Sequence, residues 1–423
     1  MPLQISLRTK YRSLIFGLSV GLLIFGYVYF VVRMYWASRY LTDPSEAAMV
    51  RAIALDPGNA EYRNRLGRYY FYTAQDPVRA AEEYRLSASL DGYDAAYWLD
   101  LVAAYEMLDQ RSEEDKAIAA AYRDGPYTPD VLWNICNIYL IRGDLNDAFP
   151  LLRRVLGIWA DADWGLMNSA LSAGWRATHN VNLLLHDALP ARSDVHAAFL
   201  YLLVANGAAD SAGPVWMRIV ELGQPVDPKL IFSYVDALLQ NDKADDARNV
   251  WSALRKLNRN RDETLANQEV IVNGGFEEPV LNGGLDWRIH PPPGVSVSAD
   301  SSQFHGGAQS LRITCEGEPF ADAGVSQYVP VEPRREYRFE GYVKAEDVFT
   351  RSGPRFLVKG AKDGAQYFLS DDIIGTTYWR ASTGSFTTGA FTHLLIITLI
   401  REPATSSIKG TFWVDDISLR EEP

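Results

Sequence analysis

Residues able to carry out catalysis are sparse in this 423-residue chain and poorly spaced for it. The histidines, His179, His186, His196, His290, His305 and His393, form no H-E-x-x-H or other metal-ligand spacing, and no phosphate-cradling loop or dinucleotide fingerprint occurs. Cys136 and Cys315 lie 179 positions apart, which excludes a disulfide framework and a cysteine-based zinc cluster. Gly17-Leu18-Ser19-Val20-Gly21 has the pattern of a hydrolase nucleophile elbow, but an elbow needs a strand, a sharp turn and a helix, and this copy sits inside an apolar run. The pairs Asp371-Asp372 and Asp415-Asp416 hint at a glycosidase, whose two carboxyls must face one bond at about 5 to 9.5 Å. Neighbours on a strand point to opposite faces, so neither pair suits. The expectation is a protein that is not an enzyme and requires no cofactor. With 41 basic against 53 acidic residues the net charge is −12, which speaks against a general binder of nucleic acid.

The elements that would position any binding residues begin with a membrane segment. Leu14 to Val32 runs nineteen positions without an Asp, Glu, Lys or Arg. At 1.5 Å per residue that reaches about 30 Å, one hydrocarbon core. We assign residues 14–36 as an anchor, with Tyr27, Tyr29, Tyr35 and Trp36 at its outer interface. A cleaved signal peptide is the competing reading, although its apolar region should be shorter and followed by small residues. Arg8, Lys10 and Arg12 precede the run and Arg33 and Arg39 follow it, a bias that favours residues 1–13 in the cytoplasm of a bacterium. The chain is then a single-pass protein of the inner membrane, with the rest in the periplasm. Ser13, Gly17 and Gly21 form a small-residue strip along which two such helices can pair into a homodimer.

Residues 43–260 repeat. Asp56-Pro57-Gly58-Asn59, Asp91-Gly92-Tyr93-Asp94 and Asp124-Gly125-Pro126-Tyr127 punctuate the chain 35 and 33 residues apart, and Asp194 and Asp227 are again 33 apart. Between them lie pairs of segments with apolar residues at helical spacing, such as Leu66, Tyr69, Tyr70 and Thr73, then Ala80, Tyr84 and Ala88. Leu66-Gly67, Tyr70, Ala80, Tyr84 and Ala88 resemble the tetratricopeptide repeat. The next unit keeps Trp98, Leu101 and Tyr105 but has Val102 in place of the small residue, a third offers Trp133, Tyr139, Gly143-Asp144 and Ala148, and later units keep only helical hairpins. Stacked hairpins make a solenoid, whose concave face is expected to take a protein partner. Tyr69, Tyr72, Trp98, Trp133, Trp164, Trp175, Trp216 and Trp251 recur at repeat spacing and are expected mostly between hairpins.

After a polar linker, 261–269, the period changes. Residues 270–423 carry short runs rich in Val, Ile, Phe, Tyr and Thr, eight or nine strands, as in a β-sandwich or jelly roll. Tyr337, Phe339, Gly341 and Val343 should face a core, and Arg338, Glu340, Tyr342 and Lys344 the solvent or a ligand. Val272-Asn273-Gly274-Gly275-Phe276-Glu277, Gly307-Ala308-Gln309-Ser310-Leu311-Arg312-Ile313, Tyr337 to Lys344, and Phe412-Trp413-Val414-Asp415-Asp416-Ile417-Ser418-Leu419 resemble, in order, the carbohydrate-binding jelly rolls attached to bacterial xylanases and glucanases, within the wider galactose-binding-like fold. The resemblance implies a structural calcium ion held by Glu277 with Asp415 or Asp416, whose hard oxygens suit that ion. A sugar platform needs rings that stack on pyranose faces beside polar groups. Tyr342, Tyr367, Trp379, Arg338 and Gln327 are its candidates, while Trp287 and Trp413 belong in the core.

The architecture expected is therefore a transmembrane helix, an all-α solenoid and an all-β jelly roll. The function expected is that of a non-enzymatic envelope scaffold, its solenoid binding a protein and its jelly roll binding glycan or protein, in exopolysaccharide or capsule assembly or export. A carbohydrate-binding protein that captures polysaccharide is the alternative, and a glycan-active hydrolase or its accessory the second.

Overall fold

The computed structural model describes residues 10–258 and 270–422. The linker read at 261–269 and the N-terminal residues 1–9 lie outside them. The chain forms two compact units, 1–158 and 159–423, so the division falls within the helical repeats.

The first unit begins with α1 (Lys10–Tyr40), whose segment Ser13–Tyr40 has a mean hydropathy of 2.3 and is long and apolar enough to cross a membrane. The elbow-like residues 17–21 are helical throughout, so Ser19 is no nucleophile on a turn. The last turns of α1 pack on α2 (Glu46–Leu55). Ala37 is fully buried, and Arg33 donates from Nε to the carbonyl of Leu55 at the end of α2. Hairpins follow: α3 (Ala60–Arg68), extended by a π turn at Tyr69–Thr73, with α4 (Pro77–Leu90); α5 (Ala95–Met107) with α6 (Arg111–Asp124); α7 (Pro129–Arg142) with α8 (Leu145–Trp159). The punctuation motifs occupy the turns between hairpins. Asp94 caps α5 by accepting from Ala96 N, and Asp76 caps α4 with Pro77 in its first turn. A β carbon at Gly67 would come within 2.6 Å of the Tyr84 ring, so only glycine lets α3 and α4 approach. In the next unit Val102 stands 35 positions after Gly67, and the residue 34 after Tyr84 is the smaller Ile118. Both are buried.

The second unit opens with α9 (Trp164–Thr178), α10 (Val181–Leu183) with its π turn, α11 (Ser193–Ala205), α12 (Gly213–Leu222), α13 (Lys229–Gln240) and α14 (Ala244–Asn258). Of the repeated aromatics, Trp216 and Trp251 are buried, Trp251 with one edge against Gly284 of the sandwich rather than between hairpins. Tyr72 and Trp164 are exposed, because they fall at the end of a helix pair and at a helix N-terminus rather than on an inward face.

Two antiparallel five-stranded sheets complete this unit. One has the order β1 (Arg288–Ile289), β4 (Asp322–Pro330), β9 (Leu394–Ile400), β6 (Arg355–Gly360), β7 (Gln366–Leu369). The other runs β2 (Val295–Asp300), β3 (Ser310–Glu316), β10 (Lys409–Glu421), β5 (Glu336–Phe349), β8 (Gly375–Thr387). Alternation on β5 is as read: Tyr337, Phe339 and Val343 are buried, while Arg338, Glu340, Tyr342 and Lys344 take the outer face. Phe339 lies between Phe356 and Phe368, with ring centroids 5.3 and 4.9 Å away. Truncating it to Ala would cost about 3–5 kcal/mol. The sequence reading missed β1 and β7, two and four residues long.

The last helices dock on this sandwich. Gly283 and Gly284 lie so close to the rings of Phe232 on α13 and Trp251 on α14 that a β carbon at either would collide. Arg288 pairs with Asp236, Lys362 with Asp242, and Arg248 with Glu332 at 3.4 Å.

Candidate functional site

The outer face of β5 carries the rings that matter. Tyr342 is stacked on His305, centroids 3.5 Å apart and planes 14° from parallel, and His305 meets Trp379 edge-on at 5.9 Å. Two candidates from sequence, Tyr342 and Trp379, are thus joined through a third ring the sequence reading did not choose. Strand register explains the meeting. Tyr342 faces Asp415 on β10 and Ala381 on β8, and Trp379 lies in the register irregularity of the β5–β8 ladder, between the pairs Val343–Arg380 and Ala345–Thr377.

His305 is held by the acidic pair at the β10 bulge. Its backbone N–H donates to Asp415 Oδ2 at 2.7 Å, Gly306 N donates to the same oxygen at 3.2 Å, and the ring Nδ1 lies 2.6 Å from Asp416 Oδ2. Asp415 is fully buried and also accepts from Asp416 N at 2.7 Å; burial pushes its carboxyl above the usual range, against the pull of those N–H bonds. Glu277 accepts from Ala308 N at 2.9 Å and Gln309 N at 3.3 Å, tying the far side of the same loop. Gly306 and Gly307 permit this: a β carbon on the first would strike Asp416, and on the second, at φ +63°, Glu277. The signal for His305 was therefore a His-Gly-Gly run in one loop and a pair of carboxylates elsewhere.

The three carboxylates read as calcium ligands do converge on this loop, Asp415 and Glu277 accepting from its backbone N–H groups and Asp416 meeting the His305 ring. Among the described residues no group of three or more His, Cys, Asp or Glu is placed to hold a metal ion.

Polar groups frame the rings. Tyr342 Oη donates to Glu340 Oε1 at 2.9 Å, which raises the phenol pKa, and Arg338 stands exposed on the same face opposite Arg420. The other two candidates lie elsewhere. Gln327 is a correction: it is fully buried on β4 and spends its amide on Val272, accepting from the N–H at 3.2 Å and donating to the carbonyl at 2.8 Å. Tyr367 belongs to the other sheet, where Oη meets Thr392 Oγ1 at 2.7 Å and accepts from Gly389 N at 3.0 Å while its ring packs on Phe386. Trp287 is in the core as expected, whereas Trp413 is buried on the outer sheet face, opposite Lys344 and Arg312, whose cations lie 5.3 and 5.9 Å from its ring. Trp413 donates from Nε1 to Asp300, whose carboxyl is pushed down to about 2 by its bond from Ser302 and then by that from Trp413.

Beside the rings a groove of about 750 Å³ runs between this face and α14, lined by Glu340, Tyr342, His305 and Asp416 on one side and Arg248 and Trp251 on the other.

Residues 268–404 match the family model of a carbohydrate binding domain. The match falls on the sandwich, about a third of the chain. Among solved structures the chain is similar to the CBM22-1 xylan-binding domain of Paenibacillus barcinonensis Xyn10C, at 21% identity over 35% of this chain and 91% of that one, TM-score 0.26. It is similar also to a family 16 carbohydrate-binding module, at 22% identity over 36% and 98%, TM-score 0.26. A third is the MamA protein, at 16% identity over 46% and 91%, TM-score 0.26. No curated protein matches the chain.

Proposed function

We propose that this protein is a non-enzymatic, membrane-anchored glycan binder whose sandwich holds saccharide on the Tyr342–His305–Trp379 platform. The carrying observation is the ring cluster on an outer sheet face of a domain with the carbohydrate-binding family match. Stacked and edge-on rings offer flat apolar area to a pyranose, and Glu340 and Arg338 supply hydrogen bonds to hydroxyls. Permanent anchoring by α1, with residues 1–13 cytoplasmic and the rest periplasmic, is supported by the length and apolarity of Ser13–Tyr40 and the basic residues before it. The hairpins, read as tetratricopeptide-like, serve as spacer and protein-docking scaffold, in a polysaccharide assembly or export role. Affinity electrophoresis of the full chain in detergent through gels containing xylan, β-glucan or bacterial exopolysaccharide tests this. Retardation abolished by Tyr342→Ala and Trp379→Ala supports the reading. Equal mobility of wild type and variants in every gel overturns it.

A further inference from the structure

The groove beside the platform has a chemical bias that the rings alone do not explain. Its carboxylates are already engaged, Glu340 by Tyr342 Oη at 2.9 Å and Asp416 by His305 at 2.6 Å. Its donors are only partly used, the terminal nitrogens of Arg248 meeting Asp245 at 3.5 Å and Glu332 at 3.4 Å. Trp251 is buried to 4% exposure, and neither its indole N–H nor the buried Nε of Arg248 has a hydrogen-bond partner among the described residues. Buried donors are nearly always paired, so two on one wall of a cavity mark a place where an acceptor belongs. Arg420, exposed on the opposite wall, makes no ion pair among the described residues. In a chain of net charge −12 this is a local reversal of sign. The volume, about 750 Å³, is within the range of small-ligand sites.

We propose that the groove binds a carboxylate-bearing saccharide, its acid meeting Arg420 and Arg248 and its ring lying toward Tyr342. The proposal rests on the glycan-binding reading above. It adds that the ligand is acidic and that α14 forms part of the site, so the sandwich does not act alone. Trp251 makes that sharing firm: one edge of its ring is pressed against Gly284 of the sandwich.

Isothermal titration of the full chain in detergent, with oligogalacturonate and the same oligomer after reduction of its carboxyls, reads the difference. The acid form should bind about tenfold tighter, as one charge-assisted contact implies. The preference should fall as salt is raised. Arg420→Gln should remove most of it, and adding Arg248→Gln the rest. Because Arg248 also meets Glu332, unchanged melting of the exposed Arg420→Gln variant keeps the test clear of misfolding. Equal affinity for both oligomers, or a preference that survives both substitutions, overturns the proposal. If neither oligomer binds while a neutral polysaccharide still retards the chain, the acidic groove falls and the glycan reading stands. If no polysaccharide is retained, both fall.

Discussion

Replacing Asp415 by Asn tests whether the platform is held by the acid at the β10 bulge. The carboxylate accepts three backbone N–H groups, from His305 at 2.7 Å, Gly306 at 3.2 Å and Asp416 at 2.7 Å. Asn keeps one oxygen and turns an NH₂ toward N–H donors, so one or two of these bonds are lost. Bonds to a charged group contribute about 1.5–3 kcal/mol each, which places the loss at about 2–4 kcal/mol. A unit this size shifts about 2–4 °C per kcal/mol, so its melting should fall by about 5–15 °C. Burial raises the folded pKa of Asp415 above its unfolded value. Its protonated form is therefore favoured in the native state, and that stabilisation is present below about pH 3.9 and lost as pH rises through the folded pKa. The gap between wild type and variant should narrow from pH 4 to pH 7. Hydrogen exchange reports the local effect: amides of residues 305, 306 and 416 should exchange faster in the variant, and glycan retention should weaken as His305 leaves Tyr342. Unchanged exchange at those amides, or a gap that widens with pH, would refute the reasoning.

Other outcomes follow from single contacts. Gly67→Ala should destabilise the first unit by about 1–3 kcal/mol, because its methyl meets the Tyr84 ring. Tyr84→Ile in the same chain should recover part of that, and a double-mutant cycle by thermal denaturation checks it. Gln327→Ala should lower stability by about 1–3 kcal/mol yet leave the dissociation constant for glycan unchanged, measured on one preparation by melting and calorimetry. Cys136 and Cys315 are buried, and burial pushes their thiols up to about 12 and about 11. Neither should react with maleimide at pH 7.5 until the chain is unfolded, as mass spectrometry would show.

Much of the fold was legible because its signals are local. The 33–35 residue punctuation became the turns between hairpins, where Asp94 caps the next helix. Alternation in β5 placed Tyr342 and Phe339 on opposite faces. The site was less legible because its parts meet only across long sequence distance. Gln327 shares the inward parity of Ala323, Val325 and Val329 on β4, and the partner that satisfies its amide there, Val272, comes from 55 positions away. His305 gave no metal spacing, and its role depends on two carboxylates 110 and 111 residues later. Trp251 counted as one more repeat aromatic, although Gly284 of the sandwich, not another hairpin, receives the edge of its ring. β1 and β7 were missed because two and four residues carry too little periodicity to show.

The most direct test is a crystal structure of the chain with the oligosaccharide it retains best. The account predicts a sugar ring against Tyr342, His305 and Trp379, with its polar groups toward Arg420. A sugar seated instead on the opposite sheet, beside Leu357 and Tyr367, would contradict it.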